Sequence, residues 1–266
     1  LVDPEDDKRY REYWELYHSL SSRSGTSINE ARTTVRINNT VIAALMVKRK
    51  EADAMICGAT GRYTEHLPHL FKIIGLKPDV NRAAAMSMLI MSKGTFFWVD
   101  PYVNPGPSAE QIANTTVLAA QNIRRFGIEP KAALLSHSNF GSSNRPTARK
   151  MRDAVELIRK LDPDLEVDGE MHADAALSDA LRDKLVNDST LTGSANLLVM
   201  PSLDAANISY NLVRILADGL AVGPMLLGMN QPAHILAEGV TARGIMNMTA
   251  VAVVEAQNQD HGELPL

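Results

Sequence analysis

The stretch KAALLSHSNFGSS, residues Lys131 to Ser143, decides the fold class of this chain. Its first part, from Ala132 to Leu135, is continuously apolar, which is typical of a parallel strand covered on both faces. Pro146 follows shortly afterwards and suits the first turn of a helix, where a missing N–H has no consequence. The stretch therefore predicts a buried strand, a polar loop and a helix, which is the repeating unit of α/β proteins.

The loop between this strand and this helix is rich in small polar residues. Gly141 can adopt a positive φ, so that neighbouring backbone N–H groups can converge on an anion. Four cations then precede the next carboxylate at Asp153, namely Arg145, Arg149, Lys150 and Arg152. A phosphate-binding loop is one interpretation, and an ordinary strand–helix connection with a solvated basic first turn is the other. The spacing does not decide between them, because neither the Walker pattern nor GxGxxG occurs here.

The composition sets limits on size, location and partners. The chain has 266 residues, 45% of them hydrophobic, and a formal net charge of −4, which gives no support to nucleic-acid binding. Its single cysteine, Cys57, excludes an internal disulfide and fits a reducing cytoplasm. No stretch reaches the roughly 18 apolar residues that a membrane helix needs. We therefore predict a cytoplasmic protein that binds neither nucleic acid nor membrane.

A proline-rich segment, DPYVNPGP at 100–107, interrupts the regular pattern and is the predicted crossing between two domains. Helices and strands then alternate from Ser108 onward. We therefore predict a first lobe of residues 1–107 plus 224–266 and a second lobe of residues 108–223. The opening residues read like the tail of a strand, so the numbering is expected to begin inside a longer polypeptide.

Several segments together resemble the phosphate acetyltransferase family: EADAMICG at 51–58, the loop at 135–143, PDLEVDGE at 163–170, DAAL at 174–177 and NISY at 207–210. Three others are similar, more narrowly, to the C-terminal phosphotransacetylase-like domain of large bacterial NADP-dependent malic enzymes: SHSNFGS at 136–142, VMPSLDAANI at 199–208 and TARGIMNMT at 241–249. Together they cover nearly the whole chain.

The resemblance implies a fold like that of the isocitrate and isopropylmalate dehydrogenases. Two α/β/α sandwich lobes would face each other across a cleft, and the second lobe would form a homodimer or higher homo-oligomer. The resemblance also implies that a malic enzyme catalytic domain lies upstream of Leu1, together with the first βαβ unit of this domain. That upstream domain would convert malate to pyruvate and CO2 with NADP and a divalent metal.

The chain departs from the active transferases at positions that carry their chemistry. The family's Leu-Ser-Arg-Gly run, in which the serine and arginine serve thiol activation and acetyl phosphate binding, is Leu236-Ala237-Glu238-Gly239 here. An acid expected just beyond this run is absent, the arginine of a family helix has moved by one position to Arg214, and the family's loop lysine is Phe140. Because acetyl phosphate is a dianion, an anion in place of a cation opposes its binding. We expect transferase activity to be lost.

The coenzyme part of the site depends on a cleft, apolar packing and scattered donors, so acetyl-CoA binding is expected to survive as a means of regulation. No cofactor or metal is expected in this chain itself, with acetyl-CoA as the effector. The predicted acetyl-CoA site comprises Ser138, Asn139, Phe140, Gly141, Ser142, Arg145, Asn207, Tyr210 and Arg243. The opposing interpretation has Phe140 packed into the core and both arginines facing solvent.

Three other functions compete with regulation by acetyl-CoA. The first is an active phosphate acetyltransferase in which Arg243 or Arg214 replaces the lost arginine. The second is a structural dimerisation module with a vestigial cleft. The third is a metal-dependent dehydrogenase of the same fold, which the sequence disfavours because Asp164, Asp168 and Asp174 are explained as caps and turns. Formation of acetyl phosphate, or calorimetry with acetyl-CoA, separates the leading alternatives.

Overall fold

The computed structural model of this protein describes residues 2–3 and 6–260. Its helices are α1 Tyr10–Ser21, α2 Ile28–Ile37, α3 Asn39–Lys48, α4 Tyr63–Ile73, α5 Ala109–Arg124, α6 Pro146–Leu161, α7 Ala173–Leu177, α8 Asp179–Arg182, α9 Leu203–Leu216 and α10 Ala242–Asp260. Its strands are β1 Met55–Gly58, β2 Ala84–Met91, β3 Gly94–Val99, β4 Lys131–Leu135, β5 Glu166–Met171, β6 Leu197–Val199, β7 Leu220–Leu227 and β8 Ala233–Leu236. None of the described helices is both long enough and apolar enough to cross a membrane.

The chain forms two compact units. The first comprises Leu1–Asn81 with Gly228–Leu266, and the second comprises Arg82–Leu227. In the first unit, β1 and β8 pair in parallel as a two-stranded sheet, against which α3, α4 and α10 pack. The helices α1 and α2 pack against each other beside α3.

The second unit is built on a six-stranded sheet with the order β5-β4-β6-β3-β2-β7. The four strands from β5 to β3 are parallel, whereas β2 is antiparallel to both of its neighbours. Helices α5 and α6 cover one face and pack on each other. The other face carries α7 and α9, where Ala133, Leu135 and Leu198 contribute to a core with Ala176 and Tyr210. The predicted α/β/α class is confirmed for this sheet and its helices.

The stretch that opens at Lys131 folds as its pattern predicts. Every residue from Ala132 to Leu135 is buried, because the sheet is covered on both faces. Pro146 is the first residue of α6, and the buried positions of that helix recur at helical spacing: Ala148, Met151, Ala154, Val155 and Ile158. Strand, loop and helix are therefore specified locally.

The predicted lobe boundaries at 107 and 223 are wrong. Strand β2 pairs with both β3 and β7, so residues 84–99 and 220–227 belong to the same sheet as β4. The proline-rich segment is a turn inside the second unit. The buried carboxylate of Asp100 organises this turn by accepting the N–H groups of Ala85, Val103 and Asn104 at 3.0–3.1 Å. Prolines here mark a tight turn and not a crossing between units.

One strand of the first unit is missed by sequence patterning. β8 covers only four residues, Ala233–Leu236, in a stretch predicted to be a loop. It contains His234, whose side chain is fully buried and lies 3.2 Å from a carboxylate oxygen of Glu255 on α10. A strand of four residues that includes a histidine lacks the continuous apolar run that predicts a buried strand.

Candidate ligand-binding site

The loop after β4 lies at a point in the second unit where the chain direction across the sheet reverses. β4 continues through α6 to β5 on one side, whereas its other neighbour, β6, continues through α9 toward β7 on the opposite side. The two loops that leave the carboxyl ends of β4 and β6 therefore diverge to opposite faces. Open α/β sheets bind ligands in the crevice that such divergence leaves.

The loop after β4 is organised around the carboxylate of Glu170, which is fully buried at the end of β5. One carboxylate oxygen accepts the Ser138 hydroxyl at 2.7 Å and the Gly141 N–H at 3.0 Å. The Phe140 N–H donates to the Glu170 carbonyl at 2.7 Å. The donors of the loop thus converge on an anion, as in one of the two interpretations of the sequence, but that anion belongs to the protein.

Arg152 of α6 completes the charge balance of this cluster. Its Nε lies 2.9 Å from one carboxylate oxygen of Glu170 and its Nη2 lies 3.0 Å from the other, which is a bidentate ion pair. Burial alone raises the pKa of the Glu170 carboxyl, but the hydrogen bonds from Arg152, Ser138 and Gly141 outweigh it and lower that pKa below its ordinary value. Glu170 is therefore a charged structural centre at neutral pH.

Three further hydrogen bonds tie this loop and its neighbours to the sheet edge. The Asn139 side-chain oxygen accepts the His172 N–H at 2.7 Å, and Lys150 Nζ donates to the Pro201 carbonyl at 2.7 Å. The Asn207 amide donates to the Pro101 carbonyl at 3.1 Å. The loops that follow β3, β4, β5 and β6 are thus held at one edge of the sheet.

The predicted acetyl-CoA residues occupy different environments. The side chains of Ser138 and Tyr210 are buried, the first on Glu170 and the second in an edge-to-face contact with Trp98 at 6.0 Å. Phe140 is half-buried against the core of the second unit, and Arg145 is exposed at the start of α6. Asn139, Gly141, Ser142 and Asn207 are half-buried or exposed at the same edge.

Arg243 lies in the other unit, exposed in the first turn of α10. Arg145 and Arg243 are thus both exposed, and Phe140 is half-buried. Glu170, Arg152 and Lys150 organise the loop but are not in the predicted acetyl-CoA set. The sequence indicated Arg152 and Lys150 only as cations of the basic first turn of the helix. The sequence does not indicate the role of Glu170, because its charge is balanced only by residues that are distant in sequence.

Two groups that resemble catalytic or metal-binding residues have structural explanations. The Cys57 thiol on β1 is mostly buried, and burial raises its pKa to about 11, so it is not a thiolate nucleophile at neutral pH. His66 and His69 of α4 are half-buried and bond to Thr40 and Asn38 at 2.7 and 3.1 Å. Among the described residues, no group of three His, Cys, Asp or Glu could hold a metal ion.

The chain matches known proteins along nearly its whole length. The family described as phosphate acetyl/butaryl transferase matches residues 1–253. The chain belongs to this family. It is 56% identical over 258 residues to the NAD-dependent malic enzyme of Rhizobium meliloti, and 50% identical over 260 residues to the NADP-dependent malic enzyme of Escherichia coli. Each match covers 97% of this chain but only 34% of the malic enzyme, so the chain spans about a third of these relatives.

Solved structures of the family share the fold. The crystal structure of a phosphotransacetylase from Streptococcus pyogenes superposes with a TM-score of 0.86 at 29% identity, over 97% of this chain and 78% of that one. The family membership and the two-lobe α/β/α class predicted from sequence are confirmed by these matches.

The segment after β8 carries the two residues at which the resemblance implies a departure from the active transferases. β8 ends at Leu236, and the residues that follow are Ala237, which is half-buried, and Glu238, which is exposed. Gly239 has φ of +78°, so the chain turns immediately after the substituted pair. An exposed carboxylate stands where the resemblance places an arginine.

We expect Glu170→Gln to lower the free energy of unfolding by about 2–3 kcal/mol, because Arg152 and the loop donors lose a buried charged acceptor. The pKa of Glu170 is lowered on folding, so its contribution is complete above about pH 4.5 and declines as the pH falls below that value. Urea unfolding at pH 7 and at pH 3.5 should therefore show a larger difference between the two proteins at pH 7.

The matched control is Glu156→Gln, which removes an exposed partner of Arg159 on the same helix as Arg152. Its effect should stay within about 0.5 kcal/mol at both pH values. Equal stability of Glu170→Gln and the parent protein at pH 7 would contradict the central role assigned to this carboxylate.

Proposed function

We propose that this chain is an acetyl-CoA-binding regulatory and oligomerisation domain of a malic enzyme in which transferase chemistry has been lost. The proposal rests on two observations taken together. The chain is 56% and 50% identical to about a third of two malic enzymes. It also carries Ala237 and Glu238 at the positions where the resemblance implies that active transferases carry serine and arginine.

The loss of transferase chemistry rests on charge. A hydroxyl has become a methyl at Ala237, which neither donates nor accepts a hydrogen bond. At Glu238 a cation has become an anion, so an attraction for acetyl phosphate of about 4 kcal/mol at 4 Å becomes a repulsion of similar size at an effective dielectric near 20. Transfer between a thiol and a phosphate dianion develops charge that needs cations, and this position now supplies the wrong sign.

Retention of acetyl-CoA binding is supported by the sheet edge at β4 and β6. The loops there are rigid because Glu170, Asn139 and Lys150 bond them to neighbouring strands. Arg145 is exposed beside this edge, and its guanidinium makes no ion pair within the described part of the chain. A phosphate group of the coenzyme is the partner we assign to it.

Regulation follows if acetyl-CoA binds two arrangements of the whole enzyme with different affinities. The catalytic part would be the upstream malic enzyme domain, which oxidises and decarboxylates malate with a divalent metal. We keep NADP as its proposed coenzyme, although the two similar malic enzymes are named for NAD and for NADP.

Oligomerisation is supported by an apolar stripe on α9. Ile208, Leu212, Ile215 and Leu216 are 55–81% exposed and recur at helical spacing on one face. A contiguous apolar surface of this kind is unusual on a monomer. A second copy of the chain would cover it through a two-fold axis, in which the stripe of one protomer packs on that of its partner.

Titration of the protein with acetyl-CoA should show saturable binding. Arg145→Glu should weaken it by about tenfold or more, because a charge-assisted bond to a coenzyme phosphate becomes a repulsion. Lys160→Glu, at the opposite end of α6, is the matched control and should bind like the parent protein. Calorimetry that detects no acetyl-CoA binding in the parent protein would contradict the regulatory proposal and favour a purely structural module.

The unmodified chain should form no acetyl phosphate from acetyl-CoA and phosphate above a heat-killed control. The double substitution Ala237→Ser with Glu238→Arg should not restore full activity by itself, since the acid beyond this run and the helix arginine would still be absent from the positions that the resemblance implies. The hydroxamate assay for acetyl phosphate is a direct measurement. Clear turnover by the unmodified chain would instead establish an active phosphate acetyltransferase.

The apolar stripe on α9 predicts a dimer, and charged residues introduced into the stripe should weaken it. Leu212→Glu with Leu216→Glu should raise the dimer dissociation constant by about a hundredfold or more, because two buried apolar contacts become desolvated charges. Leu161→Glu with Leu185→Glu, at similarly exposed leucines of the same unit, should leave the constant unchanged. Sedimentation velocity over a concentration series measures both. A parent protein that stays monomeric would rule out this interface.

A further inference from the structure

A basic groove of about 880 Å³ runs between α1 and α2 in the first unit. Its walls carry Arg11 and the two aromatic residues Tyr10 and Trp14 from α1, with Arg32 and Arg36 from α2. Among the residues that the structure describes, no aspartate or glutamate lines it. The groove therefore combines three cations with two aromatic rings in a chain whose formal net charge is −4.

The two arginines of α2 are positioned by the aromatic residues of α1. The guanidinium carbon of Arg32 lies 4.4 Å from the centre of the Trp14 ring, and that of Arg36 lies 5.3 Å from the centre of the Tyr10 ring. The Tyr10 hydroxyl also donates to the Arg32 carbonyl at 2.7 Å, which joins the two helices at this level. Stacking on a ring occupies one face of a guanidinium and leaves its in-plane N–H groups as donors.

These arginines differ from the other stacked arginines in their charge partners. Arg9 and Arg49 also lie over an aromatic ring, that of Tyr13, but both are ion-paired with Glu51. Within residues 2–3 and 6–260, neither Arg32 nor Arg36 contacts a carboxylate, and Arg11 shares its charge with the exposed Glu15 at 2.7 Å. Two oriented cations thus lack an internal counterion, which is the condition for binding an external anion.

We propose that this groove binds an organic polyphosphate of the nucleoside diphosphate class. Arg32 and Arg36 are four residues apart on one helix, so their side chains start about 6 Å from each other, a separation that suits adjacent phosphate groups. The volume of the groove exceeds what a single inorganic ion needs and falls in the range of small-molecule sites. The outer face of a stacked guanidinium also offers a planar surface to a nucleobase.

The experiment is calorimetric titration of the intact protein with ADP at low ionic strength, and in parallel with inorganic pyrophosphate and with a ten-residue poly-glutamate peptide. ADP should bind, pyrophosphate should bind more weakly, and added salt should weaken both. Arg32→Gln with Arg36→Gln should reduce ADP affinity by about tenfold or more. Arg23→Gln with Lys93→Gln removes the same charge elsewhere on the surface and should leave ADP affinity unchanged.

A second variant guards against loss of the fold. Arg32→Lys with Arg36→Lys keeps both charges but loses the planar donor pairs, so it should fold and bind ADP several times more weakly than the parent protein. Trp14→Leu, which removes the ring beneath Arg32, should also weaken ADP binding.

Four results would overturn the proposal. The first is the absence of detectable ADP binding at about 1 mM ligand, which would mean that the dissociation constant for ADP lies above that concentration. The second is equal loss in the Arg23 and Lys93 control, which would indicate a general charge effect. The third is loss of ADP binding in Arg145→Glu with retention in the Arg32 and Arg36 variant, which would place the nucleotide at the edge of the second unit. The fourth is binding of poly-glutamate without binding of ADP, which would make the groove a surface for an acidic protein segment.

Discussion

The buried carboxylate of Glu170 is the interaction on which the candidate site of the second unit depends. A fully buried charge is tolerated only when donors surround it, and here a bidentate arginine, a hydroxyl and a backbone N–H do so. Two of these donors, the Ser138 hydroxyl and the Gly141 N–H, belong to the loop after β4. The shape of this loop therefore follows from the need to neutralise the charge of Glu170. The loop in turn holds the sheet edge rigid.

The same arrangement is compatible with the proposed retention of acetyl-CoA binding and the proposed loss of transferase chemistry. Glu170, Arg152 and Ser138 maintain the loop in the second unit, whereas the substituted pair Ala237 and Glu238 follows β8 in the first unit. A change of charge at an exposed position after a strand does not disturb a buried network elsewhere. The framework of a transferase can thus remain intact while the groups that perform transfer are replaced, which is what the proposed regulatory role requires.

Charge and apolar surface are distributed unevenly over the two units. The second unit exposes the leucine and isoleucine stripe of α9, which suits association with another copy. The first unit presents unneutralised arginines on aromatic rings between α1 and α2, which suits a polyanion. These surfaces use different physical forces, the hydrophobic effect in one case and charge-assisted hydrogen bonding in the other, so their functions are separable by mutation.

Local patterns determined the class of the fold and several of its elements. The apolar run at Ala132 to Leu135, the proline at the start of α6 and the capping box at Ser27 and Glu30 each specify their structure through neighbours in sequence. The family also followed from sequence, because its motifs extend along nearly the whole chain. Such features depend on interactions within a few residues, which a sequence displays directly.

Tertiary structure alone decided where the units divide and what the loop after β4 encloses. The proline-rich segment at 100–107 resembles a linker, yet long-range pairing of β2 with β7 places it inside a unit, and the buried Asp100 organises it. Likewise, the donors around Gly141 suggested an external anion, and only the fold brings Glu170 from 29 residues away to take that position. Burial and strand pairing depend on residues far apart in the chain, so no local pattern can report them.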